Sequence, residues 1–313
     1  MIRSGEKILI TGASGFVGSH MSRRLVRDGY KVHALIRPSS LIERIRDIAP
    51  QLNFHRADLR DADSVKKIIE SVKPRGIFHL AASTLASGRT APLEELVPSN
   101  ILGTINLINA VQKIDYDFFI HTGSFTEYGL KLDPLRESDR CEPPEIYSIT
   151  KLASTLFAKE AGRGGKKPIV TLRLFTPYGP WIQPGRLVGE IISKALAGED
   201  IVLTRPEVTR DFIFVEDIIS LYLEAAKRAR EYGGEIFNLG SGRKTSIGEL
   251  VDLILRRTGS QSALRWGEFR QVSYDSDTWQ ADMNKTFSSF HWRPLYTLEK
   301  GIEATIKWFR DFS

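Results

Sequence analysis

The sequence predicts an α/β protein built on a doubly wound parallel sheet, with a smaller, interleaved C-terminal lobe. Three observations carry this expectation. Through the N-terminal half, short apolar runs alternate with helical patterns, the mark of βαβ units. A glycine-rich stretch separates the first apolar run from the first helix. After about Pro177 the alternation gives way to a mostly helical rhythm.

The elements follow in order. Residues 7–11 form a strand, and Phe16, Val17, Met21, Leu25 and Val26 then recur at helical spacing up to Gly29. Further strands are expected at 31–36, 53–57, 76–80, 117–122 and 168–174. Beyond them, 187–197 and 216–229 read as helices and 235–239 as an isolated strand. Ser246-Ile247-Gly248-Glu249 has the form of a capping box opening a helix towards Arg257. Leu298, Ile302, Ile306 and Phe309 give the last helix its apolar stripe. The expected division is 1–177 for a cofactor domain, to which about 211–240 returns, and 178–313 for the lobe. Ligands of open parallel sheets bind beyond the carboxyl ends of the strands.

Composition narrows the classes. A chain that is 42% hydrophobic and 26% charged can bury a large core, which excludes a disordered or collagen-like protein. No apolar run approaches the ~20 residues of a membrane span. The start, Met1 to Glu6, leaves no room for a signal peptide, so a soluble, cytoplasmic protein away from membranes is expected. The single Cys141 excludes an internal disulfide, and the six His residues lack zinc-helix spacing, so no metal is expected. The net charge of +6 comes from dispersed bases such as Arg23, Arg24 and Arg27, with the pairs Lys66-Lys67 and Lys166-Lys167. No basic run interleaves with aromatics, so a small anionic ligand is expected rather than nucleic acid.

Gly12-Ala13-Ser14-Gly15-Phe16-Val17-Gly18 follows the first strand and opens the first helix. Its glycines allow a tight turn and close approach to a pyrophosphate, to which the helix N-terminus offers free N–H groups. NAD readers place an acid about 20 residues further on. Here that place holds Arg37, followed by Pro38-Ser39-Ser40. A guanidinium suits a 2′-phosphate and Ser39 and Ser40 add hydroxyls, so NADP(H) is favoured over NAD(H). Asp58 either accepts from an adenine amino group or caps the next helix.

Tyr147 and Lys151 stand four residues apart, on one face of a helix. A free tyrosine titrates at about 10, and a neighbouring ammonium favours its phenolate. Ser124, after the fifth strand, is placed to hold a substrate oxygen beside that hydroxyl.

With these motifs in place, the chain resembles the extended short-chain dehydrogenase/reductases of the nucleotide-sugar epimerase/dehydratase/reductase group. The matching stretches run nearly end to end: 11–18, Asp58-Leu59, 79–82, 100–104, Ser124 with Glu127-Tyr128-Gly129, 147–151, 173–180, 210–217 and 237–242. The resemblance implies a Rossmann fold, a sugar-nucleotide lobe, and a homodimer through the helices around 97–111 and 147–161. It makes Tyr147 the acid/base, Lys151 its orienter on the nicotinamide ribose, and Ser124 the group that polarises the carbonyl. It adds Leu59, Leu80, Ala81, Ala82, Asn100, Tyr147, Lys151 and Pro177 to the cofactor residues. On the substrate side it implies Ser83, Thr84, Phe125, Thr176, Leu187 and Val188, with Arg210 and Arg270 on the diphosphate. This chain departs from the pattern at Thr150, where serine is usual, at Thr176, where asparagine is usual, and after Arg270, which continues Gln271-Val272-Ser273.

The branches of the group differ after hydride transfer. A 4,6-dehydratase needs an added acid and base beyond the strand-end Ser, with one residue between its Glu and the following Tyr-Gly. Here Glu127 directly precedes Tyr128 and reads as structural. The ranking is a 4-ketoreductase of a nucleotide-linked 4-keto-6-deoxy sugar first, a C4 epimerase second and a dehydratase third. A non-catalytic NADP-binding regulatory protein is the reading from another class, disfavoured by the intact Ser124, Tyr147 and Lys151.

Overall fold

The computed structural model describes residues 4–83, 92–131, 134–165, 167–183, 185–269 and 276–312. The strands are β1 (Lys7–Thr11), β2 (Lys31–Ile36), β3 (Leu52–Arg56), β4 (Gly76–His79), β5 (Phe118–Ser124) and β6 (Ile169–Leu174), then β7 (Thr176–Tyr178), β8 (Ile201–Leu203), β9 (Thr209–Arg210), β10 (Phe212–Phe214), β11 (Ile236–Leu239), β12 (Thr245–Ser246) and β13 (Leu264–Trp266). The helices are α1 (Phe16–Arg27), α2 (Ala62–Val72), α3 (Leu93–Leu96), α4 (Gly103–Val111), α5 (Ile146–Gly162), α6 (Leu187–Ala197), α7 (Val215–Lys227), α8 (Ile247–Thr258), α9 (Asn284–Ser289) and α10 (Leu298–Phe312).

Seven strands make one parallel sheet in the order β11-β6-β5-β4-β1-β2-β3. This is the Rossmann-type doubly wound sheet the sequence predicts. Side chains alternate along each strand, so Ile8 and Ile10 join one core cluster and Leu9 the other. The first cluster packs under α1 and α7, with Met21, Leu25, Ile218 and Tyr222. The second packs under α2, α4 and α5, with Ile69, Leu107 and Ala158. Burial on both faces explains why these strands read as continuous apolar runs.

Three details differ from the sequence expectation. Residues 236–239 are not an isolated strand: β11 is the outer strand of the main sheet, pairing Phe237 with Leu172. Asp58 does not cap the next helix, because Asp61 does, accepting from the Ser64 N–H at 3.1 Å. The helix expected over 97–111 starts at Leu93 and carries a π-helical stretch, Val97–Leu102, in its middle. The Ser246–Glu249 capping box is formed.

A third core cluster holds α6, α8 and α10 together through Ile191, Leu250, Ile254, Ile302 and Ile306. The stretch carrying Trp279, Met283, Phe290 and Trp292 returns to the first cluster, under the main sheet. The sheet order reverses direction between β1 and β4, so the loops after these strands diverge and open a crevice at their carboxyl ends.

Candidate active site

The glycine loop leaves β1 at the mouth of that crevice. Gly12 has φ +71°, and a Cβ there would lie 2.8 Å from the Ala81 backbone. A Cβ on Gly18 would run into the Gly12 carbonyl, which is how helix and strand pack so closely. Helix α1 starts from Gly15 with no side-chain cap and no acid in its first turn. Its leading N–H groups and positive dipole end are thus left for an anion. Ser14, Gly15, Phe16 and Val17 form this entrance, and Leu80, Ala81 and Ala82 run opposite, Ala81 N–H donating to Thr11 Oγ1 at 3.2 Å. A cradle that a Cβ would fill, in front of an uncapped helix end, fits a dinucleotide pyrophosphate.

At the far end of the crevice Arg37 is exposed, its Nη1 4.0 Å from Glu95 Oε1. Ser39 and Ser40 lie in the same turn, Ser40 N–H donating to the Arg37 carbonyl at 3.0 Å. Asp58 is held by Arg60 at 2.6 Å, and this pairing keeps its carboxyl below the usual range. Leu59 beside it is buried.

The catalytic candidates converge from two elements. Ser124 ends β5 and caps the turn Phe125–Tyr128, its N–H donating to Glu127 Oε1 at 2.7 Å while its Oγ lies 2.8 Å from Thr126 Oγ1. Tyr147 and Lys151 come from the first turns of α5. Glu145 caps that helix, accepting from the Tyr147 and Ser148 N–H groups at 2.7 and 2.6 Å. Ser124 faces the Tyr147 hydroxyl and favours its phenolate. Lys151 is 3% exposed and donates to the Thr122 carbonyl at 2.6 Å.

Burial sets the charges. It pushes the Tyr147 hydroxyl up to about 12, with Arg186 pulling the other way. It pulls Lys151 down to about 8, against the raising influence of Glu127. The tyrosine therefore begins protonated, a state that can give a proton, and one helical turn further on stands the buried lysine.

Glu127 is fully buried and saturated. Its Oε1 accepts from Ser124 N–H and from Thr155 Oγ1 at 2.9 Å, and its Oε2 from Arg173 Nε at 2.8 Å. Arg173 also lies over the Tyr128 ring and against Cys141 Sγ, at 3.1 Å from Nη2. Asn100, in the π-helical stretch, is consumed too. Its Oδ1 accepts from Ser83 N–H at 2.8 Å, and its Nδ2 donates to the Ser83 carbonyl at 3.1 Å and to Thr150 Oγ1 at 3.0 Å. Thr150 Oγ1 donates to the Tyr147 carbonyl at 2.8 Å, so this bracket ties the loop after β4 to α5.

On the lobe side, Thr176 Oγ1 is buried with no hydrogen-bond partner among the described residues, and Pro177 follows it in β7. The Phe125 ring stacks on Phe175 at 5.4 Å. Leu187 and Val188 open α6, and Arg210 is held by the Thr209 and Ser276 carbonyls at 2.8 and 3.0 Å. Thr84 and Arg270 lie outside the described residues. Sequence reasoning missed Glu95 and Glu145. The first lies between the matched stretches 79–82 and 100–104 and belongs to neither, and the second is an unusual residue type for a helix cap. Among the described residues, no helix is long and apolar enough to cross a membrane.

Comparison with known proteins gives one family and full-length relatives. The model of the NAD dependent epimerase/dehydratase family matches residues 8–240. The chain is 27% identical to human dTDP-D-glucose 4,6-dehydratase, over 98% of this chain and 90% of that one. It is also 27% identical to CDP-abequose synthase of Salmonella muenchen, over 98% and 99%. The solved structure of Bacillus cereus UDP-glucuronic acid 4-epimerase, in complex with UDP-glucuronic acid and NAD, superposes with a TM-score of 0.88 at 26% identity, covering 98% of this chain and 100% of that one.

Proposed function

The chain belongs to the NAD dependent epimerase/dehydratase family, and from that premise we propose that it is an NADP(H)-dependent reductase of a nucleotide-linked 4-keto-6-deoxy sugar. The activity is of the nucleotide-sugar epimerase/dehydratase type. The observation that carries the reductive reading is Arg37, standing with Ser39 and Ser40 where an NAD reader has its acid. Saturation of Glu127 supports leaving dehydration aside, since both its oxygens are committed to internal partners.

Gly12–Gly18 would hold the pyrophosphate of a bound NADP(H) and Lys151 its nicotinamide ribose, and the cofactor would supply the hydride for C4. Ser124 and Tyr147 hold the C4 carbonyl oxygen between them, which fixes its distance from the proton donor. Tyr147 gives its proton to that oxygen. Lys151 holds the ribose and stabilises the phenolate until a proton returns. Leu187 and Val188 pack on the nucleobase, and Arg210 meets the diphosphate with Thr176 near the sugar. Two copies pair through the helices 93–111 and 146–162, a reading supported by the exposed Leu102, Ile149, Leu156 and Phe157 on their outer faces.

A C4 epimerase is the second reading, favoured by the likeness to the Bacillus cereus 4-epimerase. The deciding experiment follows absorbance at 340 nm with stoichiometric NADPH, or NADH, and a panel of nucleotide-linked 4-keto-6-deoxy sugars. Substrate-dependent loss of NADPH is expected. No net loss, with a C4 isomer appearing by NMR from ordinary nucleotide sugars, would replace the reductase by the epimerase. A 4-keto product from those sugars would mean dehydration.

A further inference from the structure

Arg37 does not stand alone at the end of β2. Glu95 Oε1, 4.0 Å from its Nη1, also accepts a 2.6 Å hydrogen bond from Ser83 Oγ. Ser83 is held at its N–H and carbonyl by the buried Asn100 amide. The carboxylate is therefore anchored through three residues to the catalytic helix rather than free to swing. Arg60 feels the same carboxylate, and Asp58 feels Arg37. Two guanidiniums and two carboxylates thus meet at the ends of β2 and β3, where the adenosine ribose of a cofactor in this crevice would lie.

We propose that Glu95 is a specificity-determining residue for the cofactor: it holds Arg37 in an ion pair and opposes the charge of a 2′-phosphate, so that the preference for NADP(H) over NAD(H) is held down. This rests on the reading of Arg37 as the 2′-phosphate partner. A phosphomonoester carries about −1.5 to −2 charges at neutral pH. Arg37 meets it with Glu95 still beside the guanidinium, so the fixed carboxylate offsets part of the arginine's charge and repels the phosphate. A 2′-hydroxyl carries no charge and meets no such opposition. The acid absent from the end of β2 is in effect supplied from α3, a remote segment.

Direct binding tests this without turnover. Calorimetric dissociation constants for NADP+ and NAD+ are measured on wild type, Glu95→Gln and Arg37→Ala, at low and high salt. Glutamine keeps an acceptor for Ser83 Oγ and removes the charge. Glu95→Gln is expected to tighten NADP+ by roughly three- to tenfold at low salt, less at high salt, with NAD+ unchanged. An unchanged NADP+ constant would overturn the proposal. Weaker NAD+ binding without tighter NADP+ would also overturn it, and would make Glu95 a partner of the ribose hydroxyl. Arg37→Ala separates the two layers. If it weakens NADP+ while Glu95→Gln does nothing, only the role of Glu95 falls. If it leaves both cofactors unchanged, the Arg37 reading falls and the proposal with it.

Discussion

Replacing Lys151 by methionine should abolish turnover yet stabilise the unliganded protein. Lys151 is 3% exposed, and its ammonium donates to the Thr122 carbonyl at 2.6 Å. Burial lowers its pKa from the ordinary 10.5 to about 8. At 1.36 kcal/mol per pKa unit, keeping the lysine charged in the fold costs about 3 kcal/mol near pH 7. Between pH 8 and 10.5 the unfolded chain binds more protons than the folded one, so stability rises with pH through that window. Between pH 7 and pH 9 the lysine's penalty should shrink by about 1 kcal/mol. The assay is urea denaturation of wild type and Lys151→Met at matched pH values. Methionine has similar length and no charge, so the variant should be more stable by up to about 3 kcal/mol at pH 7, the gap narrowing towards pH 9. A variant that is less stable at pH 7, or a gap that ignores pH, would refute the electrostatic account of the site. A stability gain here would be the familiar exchange of stability against function.

Three further outcomes are expected. Tyr147→Phe should lower kcat by about 10²- to 10⁴-fold with a far smaller change in the NADPH dissociation constant, since the main task of the lost hydroxyl is to move a proton. Equal losses in binding and turnover would argue against that role. Glu127→Ala should destabilise the fold by about 3–5 kcal/mol by stranding the buried Arg173, and the double variant Glu127→Met/Arg173→Met should recover most of the loss. Urea midpoints check both, and a single-variant cost below about 1 kcal/mol would contradict the buried pair. Leu102→Asp with Phe157→Asp should turn a dimer into a monomer by sedimentation velocity, and a wild type that sediments as a monomer would end the dimer reading.

The residues that read most clearly in the sequence are those whose signal is local. The glycine loop is legible because a turn, a close approach and a helix start all fall within Gly12–Gly18. Tyr147 and Lys151 are legible because helical spacing alone puts them on one face. The six strands β1 to β6 stand out because both sheet faces are buried, which leaves nearly unbroken apolar runs. The cap at Asp61 also has a local sign, Ser64 three residues on, whose N–H and hydroxyl both donate to it.

What the sequence determined by itself is therefore the layered α/β fold and the identity of the loop and helix that line the crevice, since periodicity and short spacing encode both. Only the tertiary structure decided that 236–239 completes the sheet beside β6, because parallel pairing joins strands separated by a whole lobe. It alone closed the Glu127–Arg173 pair, whose partners lie in the turn after β5 and in β6 and carry no shared motif. It alone brought Glu95 to Arg37, through Ser83 and the π-helical turn that aims Asn100. Charges that meet across such distances in sequence are placed by packing, and no local pattern of residues records where packing will set them.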